Sequence, residues 1–373
     1  MKEIVTQKLT SRLIENQPAL PSLTQPLDAM YYATKKRAIF KKRLSSLSSS
    51  NEIDFDTLKG NLSKTIEILL NEPSYIRPSA PHGKPGGLIL LNTDIPTIII
   101  PDLHGRRTFL METLFYTGSS GISHLNLMLE GKLNIVCVGD GMHSEQRGQK
   151  RWLKALGEYK LKSKQTPAMD EEMIESYSLM QMVMQLKISA PNHFHFLKGN
   201  HENVLSEEGN GNHPFAKFAL ESPMTREWTD SVFGKKFIQQ YARFEKLLPI
   251  LAVGKNFLVS HAEPKQFYPA RQIVDYNHHP DVIEGLTWTE NDMAETGSVE
   301  KILAQFFPEY DISRLYYFGG HRQVNGKYSA RANGRYIQVN HPHKMYFTYI
   351  HPEKLFYPDR DIVDMEEKEH YDE

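Results

Sequence analysis

Short apolar runs that stop abruptly at glycine, proline or an ionisable residue recur along this chain. They predict strands whose ends open into loops. Ile98-Ile99-Ile100 stops at Pro101 and delivers Asp102 and His104. A few apolar residues closed by turn chemistry read as a buried strand. The pattern predicts strands over Leu88–Leu91, Thr97–Ile100, Asn134–Val138, His193–Leu197, Arg314–Phe318, Tyr336–Val339 and Met345–Ile350. Ile250–Val253 and Phe257–Ser260 flank Gly254-Lys255-Asn256 as a hairpin. Helical spacing predicts helices over Met30–Leu47, Phe55–Leu70, Thr108–Tyr116, Trp152–Leu156, Glu171–Leu186, Phe215–Leu220 and Val232–Leu247. Strands alternate with helices early and bunch late, which predicts a mixed sheet system covered by helices.

Breakers suggest the domain plan. Ser45–Ser50 is a flexible break, and Pro78, Pro81, Pro85 and Gly86-Gly87 end helix and begin loop. We expect a helical N-terminal extension over 1–86, a main domain over 87–358 with a helical insertion at about 145–190, and an acidic tail over 359–373.

Composition narrows the class. The 373 residues are 40% hydrophobic and 24% charged, with a net charge of −1. No global basic field argues for nucleic acid or an anionic membrane. Lys35–Arg43 holds six basic residues in nine, and Asp359–Glu373 holds eight acidic residues against two basic ones. A solvated helix face and a charged tail account for both; a docking patch for an acidic partner is the sharper alternative. The single cysteine, Cys137, lies in an apolar run and reads as a small buried hydrophobe. No run is long and apolar enough to span a membrane, and the N-terminus has no apolar core of signal-peptide length. These features lead us to expect a soluble, cytoplasmic protein of undetermined oligomeric state.

The chemistry sits where strands end. After Ile98–Ile100 come Asp102 and His104; after Ile135–Val138 come Asp140 and His143; after Phe194–Leu197 come Asn200 and His201. After Phe257–Val259 comes His261, and after Leu315–Phe318 comes His321. Ligand sites of α/β proteins lie outside the carboxyl ends of strands, so five loops are expected to converge on one point. Asp102, His104, Asp140, Asn200, His261 and His321 form a mixed oxygen and nitrogen set without thiolate. That set favours divalent Mn, with Fe or Zn as alternatives. Six ligands are too many for one open catalytic ion and suit two ions that share a carboxylate, with Asp140 as the natural bridge.

The order Asp-x-His, Gly-Asp, Gly-Asn-His-Glu, an isolated strand-end His and Gly-His resembles the calcineurin-like metallophosphoesterase superfamily, over about residues 96–325. PDLHG, SHAEP and GLTWTE resemble its phosphoprotein-phosphatase and diadenosine-tetraphosphatase-like branch. The resemblance implies a four-layer α/β/β/α sandwich of two mixed sheets. It assigns Asp102, His104 and Asp140 to one metal, and Asp140, Asn200, His261 and His321 to the other. A metal-bridging hydroxide would attack the phosphorus directly, and His201 would protonate the leaving oxygen. Phosphoprotein and dinucleoside polyphosphate are the leading substrate classes. A phosphodiesterase or nuclease of the same superfamily, or a metal-binding scaffold without turnover, is the alternative.

One stretch departs from the branch. Gly-Asp-x-x-Asp-Arg-Gly is replaced by Gly-Asp-Gly-Met-His-Ser-Glu, so His143 stands where an aspartate orients the general acid. His143 could bond to His201 or donate to phosphate itself, and Glu145 could supply the lost carboxylate. The missing arginine leaves Arg106, Arg107, Arg147 and Arg322 as candidates to grip phosphate. The basic insertion, with Lys150, Arg151, Lys154, Lys162 and Lys164, is expected either to attract an anionic substrate or to be a charged exterior helix. His193 and His195 share one strand face and are expected to be buried and hydrogen-bonded rather than ligating. Trp152 and the methionines of Met173–Met184 are expected to pack in the core or as a cap.

Overall fold

A computed structural model describes residues 27–161 and 166–366. Residues 1–26 of the expected extension, Lys162 and Lys164 of the basic run, and 367–373 of the acidic tail lie outside the described residues.

Two mixed sheets lie face to face. One runs in the order β1 (Leu88–Leu90), β5 (Leu251–Val253), β6 (Phe257–Val259), β7 (Tyr316–Gly319), β9 (Tyr336–Gln338), β8 (Ser329–Arg331). The other runs β11 (Ile362–Asp364), β10 (Tyr346–Ile350), β2 (Thr97–Ile100), β3 (Asn134–Cys137), β4 (Phe194–Phe196). Strands β2, β3 and β4 are parallel, as are β6, β7 and β9.

Strand alternation divides the interior into three cores. Ile98, Ile100, Ile135 and Cys137 face the helices on one side. Ile99, Val136 and Val138 face Val259, Phe318 and Ile337 of the opposite sheet. Leu258 and Tyr317 face the helices beyond it. Both faces of each central strand are covered, which is why these strands read as unbroken apolar runs. The result is the expected four-layer sandwich.

The helices are α1 (Leu27–Ser48), α2 (Phe55–Leu70), α3 (Arg107–Phe115), α4 (His124–Leu129), α5 (Gln149–Lys160), α6 (Pro167–Ser189), α7 (Glu221–Phe233), α8 (Lys235–Lys246), α9 (Ala270–Val274), α10 (Pro280–Thr287), α11 (Ser298–Phe306) and α12 (Pro358–Asp361). Helix α2 starts at Asp54, whose carboxylate accepts from Thr57 N at 3.0 Å, and buries Leu58, Leu62, Ile66 and Leu69 in the core shared with α6 and α8. Met173, Met180, Met182 and Met184 of α6 are buried there too. His195 is buried, with Nε2 3.2 Å from the Asn192 carbonyl.

Several elements differ from the sequence reading. Phe215–Leu220 is not a helix: the Glu221 carboxylate accepts from the Lys217 and Phe218 amides at 2.9 and 2.6 Å, and the helix begins only at Glu221. The long helix expected over Val232–Leu247 breaks at Gly234, whose φ of +83° only glycine holds without strain. Strand β11 pairs antiparallel with β10, so the first part of the acidic segment is an edge strand. Arg151 is not a free cation: it binds Glu171, Glu172 and Glu175 of α6 and fastens α5 to the body.

Candidate metal centre

The ends of β2, β3, β4, β6 and β7 bring all six expected ligands into one contiguous cluster. His104 Nε2 lies 3.7 Å from both Asp102 Oδ2 and Asp140 Oδ2. His261 Nε2 lies 3.4 Å from Asp140 Oδ2, 2.8 Å from Asn200 Oδ1 and 3.2 Å from His321 Nδ1. Asn200 Oδ1 is 3.1 Å from His321 Nδ1. Two groupings have mutual separations within 4.8 Å, as a single ion needs: His104, Asp140 and His201, and Asp102, Asp140 and His261. Asp140 belongs to both.

The loops are shaped for this convergence. His104, Asp140, His143, Glu145 and His321 all hold φ between 42° and 69°, a left-handed region that costs non-glycine residues free energy. Two glycines let carboxylates approach the backbone. A Cβ on Gly320 would meet Asp102 Oδ1 at 1.9 Å, and one on Gly199 would meet Asp140 Oδ1 at 2.2 Å.

The donor set fits divalent cations. The only ion-pairing partners of Asp102 and Asp140 among the described residues are histidines. Burial, before any neighbour, pushes the Asp102 carboxyl up to about 7 and Asp140 well above the usual carboxylate range. Burial also holds His104 and His261 below the usual imidazole range and His321 at about 4. These imidazoles are therefore in the neutral form that ligates metal. The buried Nε2 atoms of His104 and His321 have no hydrogen-bond partner among the described residues. Two desolvated carboxylates and two orphan nitrogens facing one point call for positive charge between them.

A second layer orients the ligands, and much of it is not marked in the sequence. Glu202 accepts from the amides of Asp140, Gly141 and Gly199 at 3.0, 2.9 and 2.6 Å, pinning the β3 and β4 loops together. Asn340, after β9, donates to Asp102 Oδ2 at 2.6 Å. The strand-end rule that picked out the expected ligands applies to Asn340 as well. His261 Nδ1 is 3.1 Å from the Val138 carbonyl, which fixes its ring.

Beside the cluster lies a cleft of about 240 Å³ lined by His143, His201, Phe215, Lys217, Trp152 and Arg322, among others. His201 Nε2 is 3.8 Å from Asp140 Oδ2. His143 does not hydrogen-bond to His201: the rings are 5.4 Å apart and tilted, and each Nδ1 is buried without a partner. Glu145 does not reach His201 either. Its Oε1 faces His104 at 3.7 Å, and its Oε2 takes Lys217 Nζ at 3.0 Å and Gln323 Nε2 at 3.1 Å. Burial pushes this carboxyl up, while the Lys217 charge and the hydrogen bonds from Lys217 and Gln323 pull it down, and it ends below the usual carboxylate range.

Of the candidate arginines, only Arg322 lines the cleft, and it pairs with Glu290. Arg106 is spent on main-chain carbonyls of Asp102, Leu103, His341 and Lys344. Arg147 donates to the His104 carbonyl at 3.0 Å and pairs with Glu175. Arg107 holds the carbonyls of Leu47 and Ser50 at the end of α1. Lys217, which no motif marked, is a second cation of the cleft, and it too is paired, with Glu145.

No family model matches the chain, and no curated protein matches it. Solved structures do. A protein serine/threonine phosphatase from Saccharomyces cerevisiae, similar to human phosphatase PP5, superposes with a TM-score of 0.51 at 14% identity, covering 84% of this chain and 89% of its own. A cold-active protein-tyrosine phosphatase of a psychrophilic Shewanella gives a TM-score of 0.45 at 13% identity, covering 80% and 84%. Among the described residues no helix is long and apolar enough to cross a membrane. The chain thus shares the fold of that serine/threonine phosphatase, and a His and Asp cluster lies at the strand ends of its two facing sheets.

Proposed function

We propose that the protein is a dinuclear-metal-dependent hydrolase of phosphomonoester or phosphoanhydride bonds. The observation that carries this is the convergence of Asp102, His104, Asp140, Asn200, His261 and His321 beside a cleft that carries His201, His143 and Lys217. Asp102, His104 and Asp140 would hold one divalent ion, and Asp140, Asn200, His261 and His321 the other. Bound there, the ions supply Lewis-acid polarisation of a phosphoryl group and acidify a water for attack. Manganese suits the donor set best, with iron or zinc as alternatives.

The protein's own groups do the rest. Lys217 attracts the phosphate and fixes its orientation. His201 gives a proton to the leaving oxygen as the ester bond breaks. Burial keeps His201 well below the usual imidazole range. A phosphate dianion in the cleft is the charge that raises its proton affinity for this step. Phosphoprotein and dinucleoside polyphosphate are the substrate classes proposed.

The test is hydrolysis of phosphomonoesters, phosphodiesters and dinucleoside polyphosphates by metal-stripped protein refilled with Mn²⁺, with metal counted per chain. Two metals per chain and turnover on monoesters or polyphosphates is the expected result. Turnover on diesters alone would make it a phosphodiesterase, and two metals without any turnover would make it a scaffold. No bound metal would refute the site.

A further inference from the structure

The His201 ring carries a requirement that hydrogen bonding does not meet. Among the described residues its Nδ1 is buried without a hydrogen-bond partner, and its Nε2 lies 3.8 Å from Asp140 Oδ2, beyond hydrogen-bond reach. The terminal torsion of a histidine is broad, so a ring without such a bond is free to turn away from its task. Its fixed contacts are aromatic. Phe215 stacks on it with centroids 4.5 Å apart and planes 13° apart. On another side His104 meets it edge-on at 5.0 Å. The same Phe215 ring lies 4.2 Å from His143, whose backbone amide is held by Ser176 Oγ at 3.1 Å.

Phe215 is itself held firmly. Pro214 restricts the chain before it, and only 5% of Phe215 is exposed. Its carbonyl accepts from Ser222 N at 3.2 Å. The Glu221 carboxylate gathers the amides of Lys217 and Phe218 just beyond. The irregular loop that replaces the expected helix thus presents a flat, rigid face to two histidines of the cleft.

We propose that Phe215 is the positioning residue for His201, setting the imidazole plane by stacking where no hydrogen bond sets it. This rests on the reading of His201 as proton donor to the leaving oxygen. The stack makes a specific demand on substrate chemistry. An alkyl phosphate has a poor leaving group and needs the proton; a nitrophenyl phosphate has a good one and barely does. Loss of the stack should therefore be felt on the first and not on the second.

The test uses the full chain loaded with Mn²⁺, with Phe215→Leu, Phe215→Met and Phe215→Tyr, on a phosphoserine peptide and on p-nitrophenyl phosphate. Leu and Met keep apolar volume without a flat face; Met is the second variant should Leu not fold. Metal per chain and thermal unfolding serve as controls. Misplacing a catalytic group slightly costs up to about 100-fold, so Phe215→Leu or Met should lose about tenfold or more in kcat on the peptide and under about threefold on p-nitrophenyl phosphate. Phe215→Tyr, which keeps the ring, should retain both activities. His201→Ala should show the same selectivity more strongly, with Phe215→Leu adding little on top of it. Equal losses on the two esters, or none, would overturn the proposal while leaving His201 as donor. Absence of leaving-group selectivity in His201→Ala would remove both ideas together.

Discussion

Removing the Asn340 side chain measures how much of the centre's strength lies outside its ligands. Asn340 is 2% exposed, and its amide donates to Asp102 Oδ2 at 2.6 Å. The other oxygen, Oδ1, accepts from His321 N at 3.1 Å. In Asn340→Ala one carboxylate oxygen loses its donor in a place sealed from water. A hydrogen bond to a charged group is worth about 1.5–3 kcal/mol, or roughly 10- to 150-fold in an equilibrium. Outer-layer groups of metal sites independently measure about 10- to 100-fold in affinity, so the two estimates agree. Burial already pushes the Asp102 carboxyl up to about 7 in the metal-free protein. Losing the donor raises it further, so metal must displace a tighter proton, and the loss should be larger at pH 6 than at pH 8.

The assay is competition for Mn²⁺ or Zn²⁺ between metal-stripped protein and a chromogenic chelator, at both pH values. One of the two metal equivalents should weaken by about 10- to 100-fold while the other stays within about threefold. Asn340→Asp should weaken it more, because it sets a second carboxylate against Asp102. Affinities unchanged for both equivalents would refute the reasoning, since Asp102 would then be no ligand, or be held without Asn340.

Acid should unfold the protein through its buried histidines. Burial chiefly depresses His124 to about 4, and His143 and His195 to about 3. The unfolded chain takes up these protons near pH 6.5 and the native chain only near 3–4, so stability present above about pH 6.5 falls as pH falls through that window. Asp102 and Asp140, raised by burial, pull the other way, but only while metal is absent. Urea titrations from pH 7 to pH 4.5 should therefore show a steeper loss for loaded than for stripped protein, and a flat profile would contradict this. Arg151→Ala should cost about 3 kcal/mol by leaving the buried Glu172 carboxylate without its cation, read as a lower urea midpoint at unchanged slope. Loss of activity at unchanged stability would instead return Arg151 to the substrate.

The ligand cluster was legible because strand ends obey a local rule. An apolar run such as Ile98–Ile100 buries both faces, so the first polar residues after it must leave the sheet at its edge. The rule anticipated that Asp102, His104, Asp140, Asn200, His261 and His321 converge, without any long-range information. It failed where a residue's effect depends on a distant partner. Arg106 and Arg147 have the right chemistry for phosphate, but carbonyls and Glu175 claim them. Arg151 belongs to a basic run, but three acids of α6 neutralise it. Phe215–Leu220 has helical spacing, yet Glu221 captures its amides and holds it irregular. Lys217 sits in that misread stretch, so that cation of the cleft was lost with it. Strands β8 (Ser-Ala-Arg) and β11 (Ile-Val-Asp) lie at sheet edges and lack the apolar run that marked the other strands.

The distribution of ligands between the two sheets explains why Asp102 needs a clamp. Asp102, His104, Asp140 and Asn200 follow strands of the five-stranded sheet, whereas His261 and His321 follow strands of the six-stranded one. One proposed ion therefore draws its ligands from a single sheet, and the other straddles both. The sheets touch through apolar side chains such as Ile99, Val136, Val259 and Phe318, which carry no directional bond. Direction comes from polar links across the gap, among them those to Asp102 and Val138. His321 N and Asn340 Nδ2, both from the six-stranded sheet, hold the two oxygens of Asp102. His261 Nδ1 faces the Val138 carbonyl at the end of β3. Apolar packing sets the distance between the sheets, and these links set their register at the site. The two proposed ions, acting on one phosphorus, would tolerate little change in their separation, so the links would do for the pair of sites what a ligand's own partner does for a single ion.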